Sequence, residues 1–348
     1  MKKPFIPAAI VALSLGVASM APALAQELRL TGSGASFPFP IYSTWFKDFS
    51  KQTQGVTVDY QAKGSGAGIQ DFINNTVDFA ASDAAMEDAD IAKVKQGVVL
   101  LPMTAGEIVL SYNLAGVNEL KLPREVYVAI FMGAIEKWND PKIAAANPGV
   151  KLPDQNITVV ARSDSSGTTY VFTGHLSAVS QAFKSAVGHG TTAQWPKNVV
   201  KAPKNDGVTA TIKQTPGAIG YIEYGYAIAT KQPMAILQNK AGKFVAPSDE
   251  SGKAALASAE FPTKTLPGSD APDLRVWISD PSGETAYPIA TFTWMLFYKD
   301  QDDAKAKVLR DLVEYSLTKG QTIAPKMGYI PLPDSVIARV RKAAALIQ

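Results

Sequence analysis

Asn156-Ile157-Thr158-Val159-Val160-Ala161-Arg162-Ser163-Asp164-Ser165-Ser166-Gly167-Thr168 passes from a β-branched run into a polar turn, and Val171, Phe172, Leu176, Val179 and Phe183 then follow at near-helical spacing. The motif falls on a strand-to-helix turn. The first amides of such a helix have no intrahelical acceptor and lie at the positive end of its dipole, so they attract an anion. Arg162 adds a planar cationic donor fork. The stretch therefore reads as a seat for a small oxyanion. Against that stands the plain reading that Ser-Gly-Thr ahead of a helix is an ordinary N-cap. One turn does not separate the two.

Two more turns have the same make-up. In Gly32-Ser33-Gly34-Ala35-Ser36-Phe37-Pro38-Phe39-Pro40 the prolines stand where a first helical turn tolerates them. Ile41, Tyr42, Trp45, Phe46 and Phe49 then repeat at i, i+1, i+4, i+5 and i+8, which places Ser36 and the Phe37 amide at a helix start. In Gly64-Ser65-Gly66-Ala67-Gly68 the glycines again precede a helical pattern, Ile69, Phe72 and Ile73, after the strand-like Val56-Thr57-Val58-Asp59-Tyr60. Ser65 heads that helix. Three hydroxyl-bearing helix starts can still be three caps, and spacing alone does not show that they converge.

Residues 1–25 do not belong to the folded domain. Lys2 and Lys3 form a basic start, Ala8 to Val17 a short apolar core, and Ala23-Leu24-Ala25 a small-residue cleavage site, the pattern of a secretory signal peptide cut before Gln26. A membrane anchor is excluded because Ser14, Gly16, Ser19 and Pro22 interrupt an apolar core already shorter than a bilayer span. Removing Lys2 and Lys3 brings the formal net charge of +3 close to zero, which argues against a nucleic-acid ligand. The length of 348 residues predicts two domains, and 46% hydrophobic residues are enough to fill two cores. With no cysteine there is no disulfide, no thiol catalysis and no site for a lipoprotein's lipid. An exported, unlipidated chain of this kind is expected to be soluble in a periplasm.

The run Tyr287 to Tyr298 is rich in β-branched and aromatic residues and reads as a buried strand. Glu107 to Asn113 is a second strand-like run and its candidate partner. The stretch between them alternates helices and strands of its own. A discontinuous domain from both chain ends and an inserted middle domain follow, joined by these two crossing segments.

Several catalytic classes lack their residues. There is no Gly-x-x-x-x-Gly-Lys-[Ser/Thr] loop and no Gly-x-Ser-x-Gly elbow. His175 and His189 are the two histidines, and without His-Glu-x-x-His or cysteine they make a transition-metal centre an unfavoured reading. His175 reads as a packed or surface histidine, and His189 falls in the loop Gly188-His189-Gly190. A metal site built from carboxylates alone stays open. These gaps favour binding over turnover.

The chain resembles the periplasmic phosphate-binding proteins of ABC-type phosphate importers over essentially the whole mature sequence. The resemblance rests on Leu30-Thr31-Gly32-Ser33-Gly34-Ala35-Ser36-Phe37-Pro38, Thr76-Val77-Asp78-Phe79-Ala80-Ala81-Ser82-Asp83, Lys137-Trp138-Asn139-Asp140-Pro141 and Arg162 to Thr168. It continues through Pro216-Gly217-Ala218-Ile219-Gly220-Tyr221 and Leu332-Pro333-Asp334-Ser335-Val336. The fold it implies is the α/β, two-lobed periplasmic-binding-protein architecture, type II-like, each lobe a mixed sheet flanked by helices, with phosphate in the cleft and two crossing hinge segments. The expected division is a cleaved signal peptide over 1–25, lobe I from 26–106 plus 288–348, and lobe II from 107–287.

The resemblance also implies that the Ser36 hydroxyl and Phe37 amide, Ser65, Asp83, Arg162, Ser166, Gly167 and Thr168 surround the ligand. Asp164 would hold the Arg162 guanidinium in place. The family usually has threonine at the position of Ser36, Ser-Gly-Gly where this chain has Gly66-Ala67-Gly68, and often glycine at Ser165; these departures bear on affinity more than on ligand identity.

Asp83 has two readings, a cap on the turn after the strand-like Val77 to Ser82, or a proton acceptor for the ligand. An ionised Asp83 can only accept a hydrogen bond, so its ligand must bring a proton. Monohydrogen and dihydrogen phosphate have one and sulfate at neutral pH does not, a mismatch of the kind that discriminates by roughly 10⁴ to 10⁵. The function implied is high-affinity periplasmic binding of inorganic phosphate by a monomer. Delivery is to a membrane permease driven by a cytoplasmic ATPase, with no catalysis, cofactor, metal or nucleic acid. The alternatives are a receptor for another oxyanion, sulfate or molybdate, and a secreted phosphatase.

Overall fold

The computed structural model describes Met1 and residues 27–348, so the expected signal peptide and its cleavage site lie outside the described residues, Met1 apart. Among the described residues eleven strands follow one another: β1 Leu28–Gly34, β2 Val56–Ala62, β3 Phe79–Ser82, β4 Val98–Tyr112, β5 Lys121–Leu122, β6 Thr158–Arg162, β7 Val200–Ala202, β8 Ala218–Glu223, β9 Ile236–Gln238, β10 Phe244–Val245 and β11 Ala290–Tyr298. Eight of them form one sheet in the order β2-β1-β3-β11-β4-β8-β6-β7, and β10-β9-β5 form a small second sheet. Helices connect the parallel strands, as a parallel ladder requires. The fold is the mixed α/β arrangement that the sequence led us to expect.

β4 organises the molecule. All fifteen of its residues are buried, and so are all nine of β11, so both read as near-continuous apolar runs covered on both faces. The antiparallel ladder with β11 uses Val98 to Glu107, whereas Ile108 to Tyr112 pair antiparallel with β8. The expected partnership of the two apolar runs is therefore real but shifted. Of Glu107 to Asn113, only Glu107 pairs with β11, and the strand begins nine residues earlier than the alternation after Glu107 suggested, at Val98. On one side of this junction β2, β1 and β3 run parallel, and on the other β8, β6 and β7 do.

The helices follow the apolar spacing with one exception. Helix Phe39–Gln52 buries Ile41, Tyr42, Trp45, Phe46 and Phe49, the five residues of its predicted stripe. Each such side chain contributes about 1.5–3 kcal/mol by leaving water. Tyr42, Phe46, Tyr60 and Phe79 meet edge-on or stacked and tie the helix to β2 and β3. The helix after the Arg162 turn is shorter than its spacing implied: Gly167–Val179 ends at Ser180, and Phe183 belongs to a new helix, Gln181–Ala186. Ser180 turns the chain because its extended backbone ends one helix while its side chain accepts the Phe183 amide of the next.

Candidate functional site

The C-terminal ends of parallel strands β1, β2 and β3 open into the segments that carry Ser36, Ser65 and Asp83, and β6 ends on Arg162 itself. In open α/β sheets that edge is where ligands bind. Ser36, Phe37, Ser65, Asp83, Arg162, Ser166 and Thr168 are all at most 5% exposed. Six of these seven carry polar side chains in the interior, which requires specific partners.

The partners decide between caps and site. Of the three serines at helix starts, only Ser166 is a true N-cap, accepting the Thr169 amide at 3.0 Å. Helix Phe39–Gln52 is preceded by Pro38 and has no side-chain cap, so Ser36 does not serve it. Helix Ser65–Ile73 is preceded by Gly64, also without a side-chain cap. Asp83 does not cap its turn either: its carboxyl accepts no amide of that turn, and the turn's side-chain bond is made by Ser82, whose hydroxyl accepts the Ala84 amide at 3.1 Å. Asp83 instead receives Thr293 Oγ1 on Oδ1 at 2.8 Å, and its other oxygen stands 3.5 Å from Ser65 Oγ. The register that pairs Ser82 with Trp294 brings Thr293 opposite Asp83.

Arg162 is held by Asp164 and Thr168. Its Nε and Nη2 donate to the two oxygens of Asp164 at 2.8 and 2.5 Å, and Nη1 donates to Thr168 Oγ1 at 3.1 Å. Of five guanidinium N–H groups, three are used and two remain for a ligand. Burial alone would raise the Asp164 carboxyl, but the Arg162 hydrogen bonds and charge hold it below its ordinary value. The Lys204 amide also donates to Asp164, at 2.8 Å.

The turns converge. A Cβ placed on Gly167 would stand 2.4 Å from Ser65 Oγ and 2.7 Å from Asp83 Oδ2, and one on Gly64 would stand 2.4 Å from Asp164 Oδ2. Glycine is required at Gly167 for this approach, and at Gly64 also for its φ of +99°. The Gly66 amide donates to the Ser165 carbonyl at 3.0 Å, and Tyr226 Oη to the Ser36 carbonyl at 2.6 Å. Ser65, Asp83 and Gly167 thus stand together, as do Gly64 and Asp164, while Phe37, which follows Ser36, accepts Tyr329 Oη on its carbonyl at 2.7 Å. Beside these turns lies a cavity of about 830 Å³ whose lining includes Gly66, Glu87, Ser165, Tyr170 and His189.

One acceptor faces many donors. Burial pushes the Asp83 carboxyl up to about 7, against the Thr293 hydrogen bond, the Arg162 charge and the Ser65 hydrogen bond, all of which favour its ionised form. An oxyanion that shares a single proton with this carboxyl satisfies both charge and hydrogen bonding. His175 takes no part: it is buried, its ring pushed down to about 4, with Nδ1 2.8 Å from the Ser279 carbonyl and Nε2 2.9 Å from Tyr127 Oη. Among the described residues no three His, Asp or Glu side chains are grouped to hold a metal ion.

Two participants escaped the sequence reading. Asn205 donates to Ser36 and Thr168, and its turn, Ala202-Pro203-Lys204-Asn205, lacks the Ser-Gly signature of the other three. Thr293 lies inside the apolar strand β11, where a β-branched residue needs no further explanation.

The PBP superfamily domain matches residues 17–319. The chain is 39% identical over 319 residues to the phosphate-binding protein PstS of Pasteurella multocida, covering 91% of this chain and 90% of that protein. It is 37% identical over 325 residues to the phosphate-binding protein PstS of Methanocaldococcus jannaschii, covering 87% and 82%. Among solved structures, a high affinity periplasmic phosphate-binding protein bound with phosphate superposes with a TM-score of 0.72 at 22% identity, covering 90% of this chain and 93% of that one. A phosphate-binding protein from Stenotrophomonas maltophilia gives 0.72 at 21%, covering 91% and 94%. At that identity the two structures establish a shared fold.

Proposed function

The chain belongs to the PBP superfamily and, within it, to the phosphate-binding proteins named PstS, and from that membership we propose that it binds inorganic phosphate in a cleft between two lobes. The lobes are residues 26–106 plus 288–348 and residues 107–287. Support for that division comes from β4, which changes partner from β11 to β8 between Glu107 and Ile108. The ligand residues are Ser36, Phe37, Ser65, Asp83, Arg162, Ser166, Gly167 and Thr168, with Asp164 orienting Arg162. The protein works in the periplasm and hands phosphate to a membrane permease coupled to a cytoplasmic ATPase, and it catalyses nothing itself. Among the described residues no helix is long and apolar enough to cross a membrane.

The observation that carries this reading is one buried carboxyl, Asp83, that feels the Arg162 charge and stands against the turn at Gly167, while two N–H groups of Arg162 remain unused. Calorimetric titration at pH 8.5 in phosphate-free buffer tests it. Phosphate should bind tightly with one site per chain, and sulfate should bind at least a thousandfold more weakly. Arg162→Ala should lose roughly 100-fold or more in phosphate affinity and Arg162→Lys roughly tenfold, because lysine restores charge without the paired planar donors. Equal binding of both anions, or both variants matching the wild type, would defeat the assignment.

A further inference from the structure

Asn205, completely buried at the start of helix Lys204–Gln214, bonds to both sides of the site. Its Oδ1 accepts the Glu223 amide at 2.9 Å. That bond fixes which end of the amide is which, so the NH₂ end must face the site. Nδ2 has two hydrogens and meets two acceptors, Ser36 Oγ at 3.1 Å and Thr168 Oγ1 at 3.2 Å. The Asn205 backbone N–H adds a second donor to Ser36 Oγ at 3.1 Å, and Arg162 Nη1 adds a second to Thr168 Oγ1 at 3.1 Å.

A hydroxyl has two lone pairs and one hydrogen. Here both lone pairs of Ser36 and both of Thr168 are occupied by N–H donors. Neither O–H donates to a protein group among the described residues, so each hydrogen is left for the ligand. We infer that Asn205 is a positioning residue that forces the Ser36 and Thr168 hydroxyls to act solely as donors, while joining the segment before β2 to the helix that follows β6. The inference rests on the phosphate reading above. Its consequence is a division of labour: the ligand must offer bare oxygens to Ser36 and Thr168 and carry its proton to Asp83, because no free lone pair exists at the hydroxyls to receive it.

The test is a double-mutant cycle read by phosphate titration, with melting in phosphate-free buffer to establish that each variant is folded. Asn205→Ala in the otherwise native chain should weaken phosphate about 10- to 100-fold. In a chain already carrying Ser36→Ala and Thr168→Val, the same substitution should cost less than about threefold, because the hydroxyls it acts through are gone. A merely structural role would cost the same in both backgrounds, and that result would overturn the inference, as would native affinity in Asn205→Ala. Asn205→Asp keeps the side-chain shape and the bond to the Glu223 amide but puts one acceptor oxygen in place of Nδ2, which draws the Ser36 and Thr168 O–H groups toward itself and away from the ligand. It should bind phosphate more weakly than Asn205→Ala, and equal or tighter binding counts against hydroxyl polarity. Should Asn205→Ala not fold, the two-background comparison is made with Asn205→Asp. Failure of the native chain to bind phosphate would bring down the function and this inference together, whereas native binding without coupling brings down this inference alone.

Discussion

Asp83 Oδ1 is occupied by Thr293 while Oδ2 points past Ser65 toward the turn at Gly167, so one oxygen is fixed and the other is presented. A carboxyl at the ordinary value of 3.8 would be ionised at neutral pH. Burial changes that, because a carboxyl pushed up to about 7 is largely protonated at pH 6 and ionised at pH 9. Protonated, it can donate to an oxyanion that has no hydrogen of its own. Ionised, it can only accept. Discrimination against sulfate should therefore be weak near pH 6 and grow through pH 7 toward pH 9, while phosphate, which brings its own proton, keeps its affinity over that range. Asp83→Asn, whose amide donates at any pH, should bind sulfate more tightly relative to phosphate and show no such slope. Competition titrations at pH 6, 7.5 and 9 measure both effects. A flat phosphate-to-sulfate ratio in the native chain would show that Asp83 does not read the ligand's proton.

At the scale of elements, the site is a set of strand-to-helix turns brought within contact distance, and their approach depends on missing side chains. Gly167→Ala isolates that requirement. Its Cβ, on the first residue of helix Gly167–Val179, would stand 2.4 Å from Ser65 Oγ and 2.7 Å from Asp83 Oδ2, so the turns cannot approach this closely. Melting without phosphate should fall by no more than roughly a few degrees, because the clash is confined to the approach of the turns, while phosphate affinity should fall 100-fold or more. A parallel loss of both would mean that the glycine serves folding alone. These turns were legible in the sequence because glycine, serine and proline before an apolar helical stripe carry a mechanism that can be read locally. Asn205 and Thr293 were not, since each acts across the chain: Asn205 reaches Ser36 over 169 positions and Thr293 reaches Asp83 over 210. Their own surroundings show only a polar turn and an apolar strand. For the same reason the start of β4 was missed, because Val98 to Gly106 are fully buried on both faces and have no alternation to mark them.

The whole molecule turns on the place where β4 changes partner. Glu107 is buried there with Oε1 accepting Ser251 Oγ at 2.8 Å and Oε2 without a partner, and burial pushes its carboxyl up to about 8 from an ordinary 4.5. A carboxyl raised by folding contributes stability below its unfolded value and loses it as pH climbs through the folded one. Stability without phosphate should thus decline between pH 5 and 8, and Glu107→Gln should be the more stable protein at pH 9 by about 1–3 kcal/mol, a difference that vanishes at pH 4. Denaturant titrations across that range read the slope, and parallel curves for the two chains would place Glu107 outside the linkage. Phosphate, bound as proposed, would act on the same junction from the ligand side. Ser36, Ser65 and Asp83 come from chain segments before β4, while Arg162 to Thr168 come from after it, so one anion bonded to both sets must draw the two halves together. A ligand that binds only the folded state adds about 4.1 kcal/mol at a thousandfold excess over Kd, enough to raise the melting temperature by several degrees in a chain of this size. Saturating phosphate at pH 8.5 should therefore raise the melting temperature and shrink the radius of gyration measured by solution scattering, while sulfate at equal ionic strength should do neither. A rise in melting temperature without contraction would place the anion on a cleft already closed, and no change in either would remove it from the cleft altogether.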